Sequence, residues 1–364
     1  MSSDSDLVSP EQLIRRDILS LQAYHVQPCP GMVKLDAMEN PYTLPAEIRT
    51  AISRVVADAA LNRYPDAGAQ RLKNSIKVIS GLAPEMEVLL GNGSDEIIQL
   101  LAMAVAKPGA TLLSVEPSFV MYKMIATFIG MNYVGVPLTE DFELDLPVML
   151  AAIRQHNPAL IFLAYPNNPT GNSFNPAAIV QIIQSAKGLV VIDEAYYAFA
   201  QGSFLPELGR YPNLLVMRTF SKLGMAGLRI GFLAGGQAWL EQLEKLRLPY
   251  NVGVLTQEVA ALLLQHHDVL LQQAEQIKQD RAWLFERLVG TVDVRAYPSE
   301  ANFILFRLPR AARVFEGLKQ RGVLVKKLDG GHPALLDCLR VTVGTAAENE
   351  LFIKALQESI HQFA

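Results

Sequence analysis

Lys222 sits in the stretch Arg218-Thr-Phe-Ser-Lys-Leu-Gly-Met-Ala-Gly-Leu-Arg-Ile-Gly-Phe232, behind a serine and ahead of Arg229. Short apolar runs at 214–218 and 230–234 read as strands on either side, so the lysine is expected at a rigid strand end. A primary amine held there can condense with an aldehyde, while Ser221 and Arg229 can grip a phosphate. These residue types suit an aldehyde cofactor that also bears a phosphate.

Four further clusters extend that reading. Gly91-Asn-Gly-Ser-Asp-Glu96 joins a strand end to a helix start. Glycines there permit close backbone approach, and free N–H groups with the helix dipole favour an anion. Gly93, Ser94 and Asp95 are the candidates; an ordinary turn capped by Ser94 or Asp95 is the alternative. In Tyr165-Pro-Asn-Asn-Pro-Thr-Gly171, Asn168 is suited to a ring hydroxyl, although Asn-Pro and Thr-Gly are also turn signals. Asp193 ends the apolar run of Val190-Val-Ile-Asp-Glu-Ala-Tyr196, where an unpaired carboxylate is expensive to bury. A protonated pyridine nitrogen would satisfy it and be kept charged in return, making the ring an electron sink. Tyr196 follows within reach of the phenolic oxygen of the same ring. A metal ligand or a helix cap would also account for the acid. In Glu116-Pro-Ser-Phe-Val-Met-Tyr122, Phe119 can stack on a cofactor ring or pack into the core.

Residues spread this widely need a scaffold to bring them together. Short β-rich runs at 88–90, 111–115, 133–137, 160–164, 189–193, 214–218 and 230–234 alternate with helical stretches such as 94–106 and 177–186. Most runs are continuously apolar, as in strands covered on both faces. The expected fold is therefore α/β, with a large domain whose mostly parallel seven-stranded sheet lies between helices. In such sheets ligands bind beyond the carboxyl ends of the strands, and each candidate falls where a strand gives way to a loop. The region 256–289 is nearly free of Gly and Pro and reads as one long helical connector. Runs at 292–297, 302–307, 323–327 and 339–344, with helices at 311–320 and from Ala346, predict a smaller α+β domain that also takes in the N-terminal segment. The expected division is an N-terminal arm over 1–45, a large domain over 46–270 and a small domain over 271–364.

Composition narrows the function classes. With 364 residues, 50% hydrophobic and 19% charged, the chain can bury a sizeable core and is not disordered. A net charge of −4 without a basic run gives no support to nucleic-acid or anionic-membrane binding. The apolar runs are strand-sized and the N-terminus is polar and acidic, so a cytoplasmic protein is expected. Cys29 and Cys338 lie far apart without metal-ligand spacing and read as reduced thiols; no metal site is expected. His266 and His267 are adjacent in a helical pattern and read as surface residues.

Leu35-Asp-Ala-Met-Glu-Asn-Pro-Tyr42, Asn62-Arg-Tyr-Pro-Asp66, the four clusters, the Lys222 segment and Leu339-Arg-Val-Thr-Val-Gly-Thr345 come in one order along the chain. Over about 35–344 the chain resembles the fold-type I pyridoxal-phosphate-dependent aminotransferases. Within them it looks like the branch that exchanges an amino group between L-histidinol phosphate and 2-oxoglutarate, yielding imidazole acetol phosphate and glutamate, in histidine biosynthesis. The resemblance implies pyridoxal 5'-phosphate as cofactor, held by Lys222, which also carries the Cα proton. It implies that Asp193 pairs with the ring nitrogen, Tyr196 and Asn168 bond the ring oxygen, and Phe119 stacks. Gly93, Ser94, Asp95, Ser221 and Arg229 are implied to grip the phosphate. Tyr64 corresponds to a tyrosine that reaches the cofactor phosphate of the partner subunit, so a homodimer with shared sites is implied.

Substrate choice turns, by the same resemblance, on Arg340, expected just before the strand over 341–344. This arginine meets a carboxylate in general aminotransferases and a phosphate in the histidinol-phosphate branch. There it is helped by a second cation and an N-terminal tyrosine, here Lys326 (or its neighbour Lys327) and Tyr24. Three positions depart from the family pattern. Phe119 stands where tyrosine is common, Lys222 and Arg229 are one residue closer than in many relatives, and Lys326 replaces a frequent arginine, giving up bidentate recognition. The competing readings are an aromatic amino-acid aminotransferase or a threonine-phosphate decarboxylase on the same fold, and a regulatory protein using the cofactor domain as an effector sensor. The last is disfavoured by the lack of an appended basic helix-turn-helix region.

Overall fold

The computed structural model describes residues 9–23 and 27–363. Its strands are β1 Val33–Leu35, β2 Met86–Asn92, β3 Thr111–Glu116, β4 Asn132–Pro137, β5 Leu160–Ala164, β6 Leu189–Asp193, β7 Leu214–Thr219, β8 Ile230–Gly236, β9 Arg295–Ala296, β10 Phe303–Arg307, β11 Val323–Lys327 and β12 Cys338–Thr342. Strands β2 to β8 form the expected seven-stranded sheet, in the order β2-β8-β7-β6-β5-β3-β4. β8 runs antiparallel to both β2 and β7, and the other pairings are parallel.

The continuous apolar runs are explained by two cores, one on each face. Ile161, Leu163, Val190 and Ile192 enter one core, while Leu160, Phe162, Leu189 and Val191 enter the other. Strand period 2 then demands an apolar residue at every position. Strand order reverses between β3 and β5: the chain leaves β3 outward to β4 but leaves β5 in the opposite direction, to β6. The loops at their carboxyl ends diverge and open a crevice, which is where a ligand belongs in such a sheet.

A second sheet has the order β1-β11-β12-β10-β9, in which β1 pairs parallel to β11. The residues after β1 are pinned on several sides. Met38 N–H donates to Thr342 Oγ1 (2.9 Å), Asn302 donates to the Met38 carbonyl (2.9 Å), and the Tyr42 hydroxyl donates to Asp280 (2.5 Å).

Three local expectations are corrected. The region 256–289 is two helices, Val254–Gln265 and His267–Val289, broken at His266 (φ −111°, ψ 32°). No glycine or proline marks that break, which is why composition concealed it. His266 and His267 sit at the joint and are half-buried rather than on a solvent-facing stripe. Arg340 lies inside β12 rather than just ahead of it. Cys29 and Cys338 are free thiols, and no helix among the described residues is long and apolar enough to cross a membrane.

Candidate active site

A cavity at the carboxyl ends of β3, β5, β6 and β7 is lined by Ser94, Asp95, Phe119, Asn168, Asp193, Tyr196, Ser221, Lys222 and Arg229. Met38 and Thr219, neither anticipated from sequence, line it too. Gly93 adjoins it: with φ at 80°, a Cβ there would lie 2.5 Å from Arg229 Nη2.

One end of the cavity is built for an anion. The helix Ser94–Val105 starts there with Gly93 as its N-cap, and no side chain caps its first turn. Its leading N–H groups and dipole therefore face the cavity end. Ser94 and Asp95 are inside that turn rather than capping it, and Asp95 pairs with Arg229 at 3.2 Å. Gly231 in β8 allows the close approach of this helix start, because a Cβ there would meet the Ser94 nitrogen at 2.8 Å. Thr219 Oγ1 donates to Ser221 Oγ (2.9 Å) and orients that hydroxyl.

Asp193 lines the same cavity. Its Oδ2 accepts from the Tyr122 hydroxyl (2.7 Å) and its Oδ1 from Ala195 N–H (3.1 Å), so it also fixes the turn after β6. Burial pushes its carboxyl up to about 6, against the pull of those two hydrogen bonds. Among the described residues no group of three His, Cys, Asp or Glu is placed to hold a metal ion. Phe119 lines the cavity and packs edge-on against Tyr122 (5.6 Å), partly buried against the core. Tyr196 is edge-on to Phe303 (5.2 Å).

Lys222 projects from the 3₁₀ turn Ser221–Leu223, and its amine donates to the Ala37 carbonyl at 3.3 Å. Burial, and then the Arg340 charge, lower its pKa to about 8, so a usable neutral fraction exists near neutrality. Arg340 is buried; it donates to Asn168 Oδ1 (2.5 Å) and to the Asp36 carbonyl (3.0 Å). Because a guanidinium only donates, it turns the Asn168 oxygen toward itself and leaves the amide NH₂ as the group available to a ligand.

A second cavity of about 440 Å³ adjoins the first, sharing Met38, Phe119 and Asn168 with it. It is lined by Arg340, Lys326 and Lys327, with Glu116, Lys123, Tyr133 and His332 on its walls. Lys326, not Lys327, is the cross-strand neighbour of Arg340 in the β11–β12 register. Burial and the Arg340 charge both lower the Lys326 pKa. Tyr64 is outside both cavities: it is 80% exposed and stacks on Tyr250 at 4.5 Å. The candidate Tyr24 lies outside the described residues.

Sequence reasoning missed the residues that hold these loops together. Asn167 is fully buried; it donates to the Pro117 carbonyl (3.0 Å) and Thr170 (2.8 Å) and accepts from Ser118 (2.8 Å), tying the β3 loop to the β5 loop. Glu194, also fully buried, accepts from Arg218 Nε (2.9 Å) and Nη2 (2.8 Å) and from Phe204 N–H (2.5 Å). It locks the end of β6 to β7. Both residues stand inside motifs read for their neighbours, Asn168 and Asp193.

The chain matches the family model of aminotransferase class I and II over residues 30–356. It is 49% identical to a histidinol-phosphate aminotransferase of Chromobacterium violaceum, covering 95% of this chain and 98% of that protein. It is 50% identical to histidinol-phosphate aminotransferase 1 of Ralstonia nicotianae, over 96% of this chain and 95% of that protein. The crystal structure of the Sinorhizobium meliloti histidinol-phosphate aminotransferase in complex with pyridoxal-5'-phosphate shares the fold, with TM-score 0.87 at 24% identity over 97% of this chain and 98% of that one.

Proposed function

This chain belongs to the class I and II aminotransferases, and from that premise we propose that it moves an amino group between L-histidinol phosphate and 2-oxoglutarate. The observation that carries the substrate is the cation pair of Arg340 and Lys326, adjacent across β11 and β12 and lining the cavity that opens off Lys222. Two adjacent positive groups match the double charge of a phosphate better than the single charge of a carboxylate. The names of relatives at about half identity support the same substrate.

The family depends on pyridoxal 5'-phosphate, and the donors and acceptors of the first cavity fit it. An uncapped helix start with Ser221 and Arg229 matches a phosphate, Lys222 an aldehyde and Asp193 a protonated ring nitrogen. When bound, the cofactor supplies an aldehyde for the substrate amine and a charged ring that takes up the electron pair left at Cα. In our reading Lys222 Nζ accepts the Cα proton, its charge already weakened by burial. Asp193 holds the proton on the ring nitrogen, Tyr196 and the Asn168 amide bond the ring oxygen, and Phe119 covers one ring face. Lys326 and Arg340 take the substrate phosphate.

Loss of Lys326 tests that last assignment. Lys326→Ala is expected to lower kcat/KM for histidinol phosphate by the worth of one hydrogen bond to a charged group, about 1.5–3 kcal/mol, and barely change it for phenylalanine. Equal losses on the two substrates would make Lys326 a structural residue.

We also propose a cytoplasmic homodimer, built from an arm over 1–45, a large domain over 46–270 and a small domain over 271–364. Tyr64 has no place in its own subunit's cavities, and with Leu61, Leu248 and Tyr250 it presents exposed apolar surface suited to a partner. Mixing inactive Lys222→Ala with Tyr64→Phe subunits should restore part of the activity, because each mixed dimer gathers both lesions in one site and leaves the other intact. Demonstrated mixed dimers that stay inactive would argue against shared sites.

A further inference from the structure

Tyr122 is wholly buried, and its hydroxyl donates to Asp193 Oδ2. Its ring lies parallel to Phe162, with centroids 4.8 Å apart, and meets Phe119 edge-on. Held on two sides, the ring gives its hydroxyl a fixed direction. A carboxylate has about four acceptor sites; Tyr122 and Ala195 N–H take one on each oxygen, leaving others for the cavity that Asp193 lines.

We propose that Tyr122 is a positioning residue acting through Asp193: its hydroxyl keeps the carboxylate ionised and aimed into the cavity, so that the proton shared with the cofactor's ring nitrogen stays on the ring. The inference rests on the cofactor assignment above and is independent of the substrate. Its physical basis is a competition. Burial, Asp95 and Glu194 all favour a protonated Asp193, and the hydrogen bonds from the Tyr122 hydroxyl and Ala195 N–H oppose them. Without that hydroxyl the carboxyl takes the proton more readily, and an uncharged ring is a poorer electron sink. The same residue links the carboxylate to Phe119, so one rigid aromatic column sets both the aim of the acid and the place of the stacking ring.

The test is the affinity of the full-length chain, freed of cofactor, for pyridoxal phosphate and for the analogue with C–H in place of the ring nitrogen. Wild type and Tyr122→Phe are compared. The Lys222 linkage and the phosphate grip are common to both ligands, so damage to the fold weakens both. The expected result is a loss of roughly ten- to a hundred-fold for pyridoxal phosphate, as for one hydrogen bond to a charged group, with analogue binding unchanged or tighter. Equal weakening of both ligands, or of neither, overturns the proposal. Should Tyr122→Phe not fold, the change is repeated in Asp193→Asn, where no buried charge is left short of a donor. A folded double variant that binds both ligands as Asp193→Asn does supports action through the carboxylate; one that again fails to fold assigns Tyr122 to packing and overturns it. A wild type that binds neither ligand overturns the cofactor assignment and this inference with it.

Discussion

Lys222→Ala is expected to lose transamination almost entirely, by at least about ten-thousand-fold, because one substitution removes both the covalent anchor and the base. Cofactor binding should survive in non-covalent form. The anion end of the cavity, with its uncapped helix start, Ser221 and Arg229, is untouched, and so is Asp193. Wild-type protein treated with borohydride should carry the cofactor on the peptide containing Lys222, and the variant should carry none. Label on a different lysine, or a variant within tenfold of wild type, would remove Lys222 from the centre of the mechanism.

Asp193→Asn is expected to slow the chemical step by several orders of magnitude. The comparison that decides its role is with an ordinary charge-assisted hydrogen bond, worth about 1.5–3 kcal/mol and so only about ten- to a hundred-fold in rate. A loss confined to that range would leave Asp193 as a cofactor contact without influence on the ring's charge. The same substitution should stabilise the cofactor-free fold near neutral pH. The Asp193 carboxyl is held near 6 in the folded chain, above the unfolded value of about 3.9. Its contribution to stability is therefore fully present below about pH 4 and lost as pH rises through 6, by about 3 kcal/mol at most. The amide of the variant does not titrate. Thermal unfolding of the cofactor-free proteins should put the variant above wild type at pH 7.5 and bring the two together toward pH 4. A lower melting temperature for the variant at pH 7.5 would mean that burial does not strain this carboxylate. An acid kept at a cost to the fold and needed for catalysis is the usual balance between stability and activity.

The sheet was legible from sequence because a strand buried on both faces must be apolar at every position, as 160–164 and 189–193 are up to the acid that ends the second. The positions of Asp193, Asn168, Phe119 and Lys222 followed from those strand ends. What stayed hidden belongs to contacts between distant segments. Tyr122 and Asp193 are 71 residues apart and Asn168 and Arg340 172 apart, and no local pattern records either bond. Asn167 and Glu194 were overlooked for a different reason: each adjoins a residue with more conspicuous chemistry, and buried polar partners are identified only by what they touch. The break at His266 carries none of the residues that usually end helices. Arg340 was expected just ahead of its strand, yet it is buried within it, where Asn168 and the Asp36 carbonyl accept from it.

The most direct test of the assigned reaction is kcat/KM of the wild-type enzyme, with 2-oxoglutarate as acceptor, for histidinol phosphate, phenylalanine and threonine phosphate side by side. Histidinol phosphate is expected to be the best substrate, with glutamate formed as it is consumed, since it alone of the three combines an imidazole with a phosphate for Arg340 and Lys326. A preference for phenylalanine, or release of carbon dioxide from threonine phosphate in place of amino transfer, would contradict it.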